Sequence, residues 1–249
     1  MTIPFLLAGS LNFPDPRPAL SDPERGGLVC VSEGITPEQV LAAYRTGIFP
    51  WHSEDGYVFW FATAPRAVLY PERLHLPRSL RKTLRNTAYR VCVNRDFAAV
   101  IRACAEVPRE GQDGSWIALE FQAAYTALHH AGFAHSFECY RPDGQGGEVL
   151  AGGLYGVQIG SVFFGESMFA RQPDASKTAF ACAVPYLAQC GVRLIDCQQD
   201  TAHLARFGSE TLAFTDFQAA LRQETVRPLC RVVARKAVVA ENPVGKGAG

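Results

Sequence analysis

Hydrophobic positions along this chain follow two periods, and the switches between them mark out the elements. Between Thr36 and Gly47 the apolar side chains Val40, Leu41 and Tyr44 recur at helical spacing. Thr36 is placed as an N-cap, Pro37 suits the first helical position, Gln39 completes a capping box, and Gly47 ends the helix. Gly47-Ile48-Phe49-Pro50-Trp51 follows at once. Tyr57–Phe61, an apolar run behind Glu54-Asp55-Gly56, reads as part of a hairpin-like segment. Residues 1–27 are rich in Pro and Gly and read as loop.

From residue 66 onward, strands are expected at Ala67–Tyr70, Arg90–Val93, Ala134–Tyr140, Glu148–Val157 and Ser161–Gly165. Helices are expected at Ser79–Arg85, Asp96–Ala105, Ala118–Ala131 and Ala175–Cys190. Pro185 should kink or split the last of these. Val192, Leu194 and Ile195 form a short buried strand, with helices expected near Asp200–Phe207 and Asp216–Thr225. Thr215 with Gln218 has the form of a second capping box. A last strand is expected near Leu229–Val233, ahead of a disordered tail at 240–249. The pattern gives an α+β protein with a mostly antiparallel sheet. A boundary near Ala62–Pro65 divides it into a small N-terminal domain, 1–63, and a larger domain, 64–239.

Composition narrows the picture only a little. The 249 residues are 48% hydrophobic and include 16 Phe, ample for a core. The 24 basic and 24 acidic side chains cancel, so any nucleic-acid surface has to be local, and nothing argues against a monomer. Cys30, Cys92, Cys104, Cys139, Cys182, Cys190, Cys197 and Cys230 form no CxxC pair and sit mostly in apolar runs, which suits a reducing cytoplasm. No signal peptide or membrane span is expected.

The chemistry concentrates at a few places. Strand alternation puts Asp196 and Gln198 on one face of a strand end, where a carboxylate and a carboxamide together suit an amine. The plain alternative is that Asp196 caps the next helix and Gln198 solvates the strand end. Glu166, in Gly165-Glu166-Ser167, follows the apolar strand Val162-Phe163-Phe164, where glycine permits close approach by a ligand. A structural Glu bonded to local amides is the rival. Trp51 and Trp116 sit among Gly, Ser and Pro; each is either core or a surface for a flat ring such as adenine. Arg78, Arg81, Lys82 and Arg85 share one helix face and suit nucleic-acid phosphates; a solvated face is the alternative. Ser176 stands at the start of the long helix as a cap or a substrate contact. His203 reads as a structural histidine. Metal-ligand spacing, GxxxxGK[ST] and GxSxG are all missing, so no metal, cofactor or nucleotide use is indicated.

Taken together these segments resemble the bacterial leucyl/phenylalanyl-tRNA–protein transferases. The resemblance rests on Gly47-Ile48-Phe49-Pro50-Trp51, Pro65-Arg66-Ala67-Val68-Leu69, Arg78-Ser79-Leu80, Trp116-Ile117, Gly152-Gly153-Leu154-Tyr155-Gly156-Val157, Gly165-Glu166-Ser167-Met168-Phe169, Ala175-Ser176-Lys177 and Leu194-Ile195-Asp196-Cys197-Gln198. It departs from the family pattern at Gly208-Ser209 and Thr211-Leu212-Ala213. It implies a small N-terminal domain and a GNAT-like (acetyltransferase-like) domain. It implies transfer of Leu or Phe, and less readily Met, from aminoacyl-tRNA to proteins beginning with Arg or Lys, marking them for N-degron degradation. No ATP and no cofactor would be needed, because the ester is already activated. On that reading Asp196, Gln198 and Glu166 are catalytic, and Trp51 and Trp116 flank the terminal adenosine. Leu154, Phe163, Met168, Phe180 and Ile195 line a pocket for the Leu or Phe side chain, with Ser176 as a further contact. Arg78, Arg81, Lys82 and Arg85 track the tRNA backbone. An acyl-CoA N-acetyltransferase is a rival, weakened by the missing Gln/Arg-x-x-Gly-x-Gly/Ala loop. A non-enzymatic RNA-binding adaptor is another.

Overall fold

The computed structural model describes residues 2–106, 118–228 and 232–238. Trp116, the first residues of the expected Leu229–Val233 strand and the tail at 240–249 lie outside them. The N-terminal part holds β1 (Phe5–Leu6), α1 (Arg17–Ser21), β2 (Leu28–Glu33), α2 (Pro37–Thr46), β3 (Phe49–Glu54) and β4 (Tyr57–Phe61). Thr36 Oγ1 accepts the Gln39 N–H at 3.2 Å, and Gln39 Oε1 accepts the Thr36 N–H at 3.0 Å, so the capping box forms. Gly47 closes α2 at φ +87°, where Phe214 and Phe217 press within 3.3 Å of any added Cβ. The strands order as β1-β2-β4-β3, with β1 parallel to β2 and the other pairs antiparallel. The expected leading loop therefore contains a strand and a helix.

The rest of the chain builds an eight-stranded sheet: β5 (Arg66–Leu69), α3 (Arg78–Asn86), β6 (Arg90–Val93), α4 (Phe97–Glu106), α5 (Leu119–His130), β7 (Ala134–Pro142), β8 (Glu148–Ile159), β9 (Val162–Ala170), α6 (Ala175–Gln189), β10 (Leu194–Gln198), α7 (Ala202–Ala205), β11 (Glu210–Leu212), α8 (Phe214–Glu224) and β12 (Arg235–Val238). The order is β11-β5-β10-β9-β8-β7-β6-β12. Both sheets are mixed, which corrects the expectation of a mostly antiparallel one. In the large sheet β9 and β10 run parallel because α6 carries the chain across. No helix among the described residues is long and apolar enough to cross a membrane.

Period-two alternation divides the large sheet between two cores. Val68, Tyr155, Val157, Phe164 and Leu194 face one core, shared with the N-terminal strands and with residues of α2, α4, α5 and α8. Leu69, Leu154, Phe163 and Ile195 face the other, under α6. Burial on both faces explains why these strands read as apolar runs. The last strand among the described residues is Arg235–Val238, paired with β6, and the expected strand near Leu229–Val233 lies partly outside them. Three local expectations fail for tertiary reasons. Pro185 lies inside an unbroken α6 that is buried over most of its length, so packing holds the helix together. α8 begins at Phe214 behind Ala213 with no side-chain cap, and Gln218 donates instead to the Thr46 carbonyl at 3.2 Å. β9 runs on through Glu166 to Ala170 because β8 continues to pair with it.

That last pairing slips in register between Tyr155 and Gly156. A Cβ on Gly156 would stand 2.3 Å from the Phe164 carbonyl and 2.5 Å from the Phe163 ring. Gly156→Ala should therefore destabilise the protein by roughly 3 kcal/mol, read as a lower denaturation midpoint at unchanged slope.

Candidate functional site

Parallel pairing of β9 with β10 ends at Phe164 and Asp196. Beyond that point β9 stays with β8, while β10 turns away at Gln198, whose φ is +56°. A cavity of about 320 Å³ is lined by residues from the parted strand ends, by α6 and by β3. Its volume is in the range of small-molecule sites. The lining includes Trp51, Leu154, Phe163, Glu166, Met168, Phe180, Ile195, Asp196 and Gln198. Residues far apart in sequence thus converge as expected, though partly for other reasons than those given. Trp51 lies on β3 rather than in a loop, against Phe49 and Phe61. Gln198 reaches the cavity through a bulge and a left-handed residue, not through strand alternation.

Asp196 is fully buried and caps no helix; the N-cap of α7 is Thr201. Arg66 Nε donates to Asp196 Oδ1 at 2.8 Å, and Arg66 Nη2 donates to Asp196 Oδ2 at 2.6 Å. The Gln198 backbone N–H also donates to Oδ1, at 3.0 Å. Arg66 lies between the Phe49 and Phe217 rings, 4.8 and 4.7 Å from their centroids, and its Nη1 donates to the Gly47 carbonyl at 3.2 Å. Thr63 Oγ1 donates to the Gln198 carbonyl at 2.7 Å. Asp196 therefore holds the Gln198 N–H and Thr63 its carbonyl, so the backbone of this cavity-lining residue is fixed on both sides of the turn. Burying two charges is costly, and this pair meets the cost with a bidentate geometry and two aromatic faces.

Glu166 is only half-buried as a residue, but its carboxyl end is deep. Tyr125 Oη donates to Glu166 Oε2 at 2.9 Å, Tyr44 Oη contacts Oε1, and the two phenol oxygens lie 2.7 Å apart. Burial pushes the carboxyl up to about 7; the tyrosine bonds and Arg66 oppose that, and Asp196 adds to it. Burial likewise holds both phenols well above their ordinary value, so they stay protonated. Cys197 lines the same cavity; burial first, then Asp196, push its thiol up, so it offers no thiolate.

Other expected residues stand apart. Ser176 is in the first turn of α6, half-buried and outside the cavity lining. Asp174 is the N-cap residue of α6 but caps nothing with its side chain, because it binds Lys177 and Thr83. Arg78, Arg81, Lys82 and Arg85 are exposed on α3, whose Leu80 is buried, and no carboxylate among the described residues pairs with them. Thr83 and Asp174 link α3 to the start of α6, the helix that also lines the cavity. Arg66, Tyr44 and Tyr125 went unassigned in the sequence. An arginine within Pro65-Arg66-Ala67-Val68-Leu69 carried a usable signal, since a charge in a buried strand needs a partner. The tyrosines carried none, being ordinary apolar positions of α2 and α5. His203, read as structural, lines the cavity, and its Nε2 has no partner among the described residues.

Arg66→Met should cost about 3–5 kcal/mol by leaving Asp196 buried and unpaired. Adding Asp196→Leu should restore much of that loss, and denaturant unfolding of the single and double variants measures the coupling.

Comparison with known proteins adds three findings. The family model described as leucyl/phenylalanyl-tRNA protein transferase matches residues 68–222, and that of its N-terminal domain matches residues 34–64. A leucyl/phenylalanyl-tRNA–protein transferase of Neisseria meningitidis serogroup B is 58% identical over 96% of this chain and 98% of its own. One from Anaeromyxobacter sp. is 50% identical, over 91% and 93%. Among solved structures, FemX superposes with a TM-score of 0.44 at 10% identity, over 74% of this chain and 69% of that one.

Proposed function

This chain belongs to the leucyl/phenylalanyl-tRNA–protein transferase family, an aminoacyltransferase family, and from that premise we propose its donor, its acceptor and the task of each residue. The donor is tRNA carrying Leu or Phe, with Met a poorer one. The acceptor is the α-amine of a protein beginning with Arg or Lys, and the product is a degradation signal made in the cytoplasm without ATP. The working form is a monomer. Residues 64–239 form the acetyltransferase-like catalytic part and residues 1–63 a smaller domain against it.

The observation that carries this reading is the single cavity in which Asp196, Gln198 and Glu166 meet an apolar floor. Leu154, Phe163, Met168, Phe180 and Ile195 receive the donor side chain. Such a floor separates related apolar side chains by only about 1–3 kcal/mol per methylene, which suits a family that takes more than one. Trp51, with Trp116, flanks the terminal adenosine. Gln198, positioned by the Asp196–Arg66 pair, holds the acceptor amine, and Glu166 meets an ammonium or ribose hydroxyl of the bound substrates. Holding amine and ester in line supplies about 7–11 kcal/mol of the barrier. Ser176 supports the donor from the start of α6. Arg78, Arg81, Lys82 and Arg85 follow phosphates without reading sequence.

Labelled leucyl-tRNA with an Arg-initiated peptide, without ATP, should give the extended peptide; no product, or product only with an energy source, would overturn the reading. Gln198→Ala should lower transfer by about 100-fold while leaving tRNA binding intact, as measured by single-turnover rates and filter binding. Reversing the charges of Arg81 and Lys82 should weaken tRNA binding and flatten its salt dependence by about two phosphate contacts.

A further inference from the structure

We propose that Glu166 is the proton acceptor of the transfer step, taking a proton from the incoming ammonium and completing a closed ring of hydrogen bonds with Tyr44 and Tyr125. This rests on the transfer reading above and assigns a step within it.

The geometry poses a proton-counting problem. Glu166, Tyr44 and Tyr125 make three mutual O···O contacts within hydrogen-bond distance, yet two phenols supply only two protons. With the carboxyl ionised, one contact sets lone pair against lone pair in a buried place. One more proton, on Glu166, fills every contact: the carboxyl donates to Tyr44, Tyr44 to Tyr125, and Tyr125 back to the carboxyl. The three groups are already in position to receive it, so accepting the proton requires only that the Tyr44 hydroxyl turn from the carboxylate to Tyr125.

Asp196, the other carboxylate of the cavity, is less suited. Both its oxygens are held by Arg66, and one also takes the Gln198 N–H. Glu166 lines the cavity and its charged neighbours are few. Tyr44 approaches from α2, Tyr125 from α5, Asp196 from β10 and Arg66 from β5, the last two acting in opposite directions. A carboxyl titrating near neutrality is well matched to both directions of proton transfer at working pH.

The chemistry balances. The acceptor arrives as an ammonium; one N–H bond breaks and its proton joins a Glu166 oxygen, returning the electron pair to nitrogen. That pair forms the C–N bond at the ester carbonyl. The C–O bond to the ribose breaks, and the leaving oxygen takes a second proton from the nitrogen. Glu166 then releases its proton to water. Glu166 is the catalytic group, and Tyr44 and Tyr125 are positioning residues.

The test is single-turnover leucyl transfer to an Arg-initiated peptide at saturating acceptor, across pH. In the unaltered protein the rate should climb up to a midpoint near 7 and then level off. Glu166→Gln should lower the rate near neutrality by about 100-fold or more. Its residual rate should keep climbing about tenfold per unit, up to the amine's own pKa near about 8. Tyr44→Phe and Tyr125→Phe should each move the midpoint upward, since each removes a donor to the carboxylate. Infrared difference spectra without substrate supply a second readout. A carboxylic-acid band should disappear on raising the pH through neutrality, and be missing from Glu166→Gln. A Glu166→Gln protein with unchanged rate and plateau, or no titrating acid band in the unaltered protein, would overturn the proposal. Failure of the unaltered protein to transfer would instead overturn the donor and acceptor reading, and the infrared band would still decide where the proton resides.

Discussion

The Arg66–Asp196 pair is the constraint on which the rest of the structure depends. Both side chains are fully buried, so neither tolerates loss of the other. The pair is also a junction. Arg66 belongs to β5, Asp196 to β10, Gly47 ends α2, Phe49 begins β3, and Phe217 comes from α8. One guanidinium thus ties the N-terminal segment to the large sheet beside the opening between β9 and β10. A hydrophobic replacement of similar volume would hold the strands together equally well. It would not give the Gln198 N–H an acceptor, nor set a left-handed residue at the rim of the cavity. The charge is retained for position rather than for stability.

From this follows a division of labour between two acids that look alike in the sequence. Asp196 has its charge answered by Arg66 and serves as scaffold. Glu166 is hydrogen-bonded by phenols instead of an arginine, and burial raises it to about 7. The two lie close enough to interact, and the arginine that neutralises the first also moderates the second. The cavity between them joins an apolar sac to a polar rim, as the meeting of a bulky side chain with an ester and an amine requires. One side of it is lined by α6, through Phe180, Ala183, Val184 and Leu187, and the N-terminal end of that helix is linked to the basic helix α3. A tRNA-sized donor and an apolar side chain would therefore be gripped by elements that share one helix.

Much of this was legible from local signals. The Thr36–Gln39 box and Gly47 gave α2, and the run at Tyr57–Phe61 gave the hairpin, because caps and turns are local chemistry. The cavity residues were legible as a set only through their resemblance to a family; alternation and composition by themselves left Asp196, Glu166 and Trp51 open to plain structural readings. What was hidden is long-range. β9 extends through Glu166 because β8 keeps pairing with it, from Gly165 opposite Gly156 to Ala170 opposite Gly152. Gln198 takes a left-handed conformation that strand periodicity does not announce. Pro185 is tolerated because α6 is packed along its length. Tyr44 and Tyr125 belong to helices far apart in sequence, and only the fold brings their hydroxyls together.

The central claim is that an esterified amino acid enters between the parted ends of β9 and β10, with its side chain in the apolar sac and its carbonyl at the polar rim. A crystal structure with a non-hydrolysable phenylalanyl-adenosine amide tests this most directly. The account predicts the phenyl ring between Phe163 and Phe180, and the acyl carbon beside Glu166 and Gln198. Density for the analogue elsewhere, or a ring outside that sac with Glu166 untouched, would contradict it.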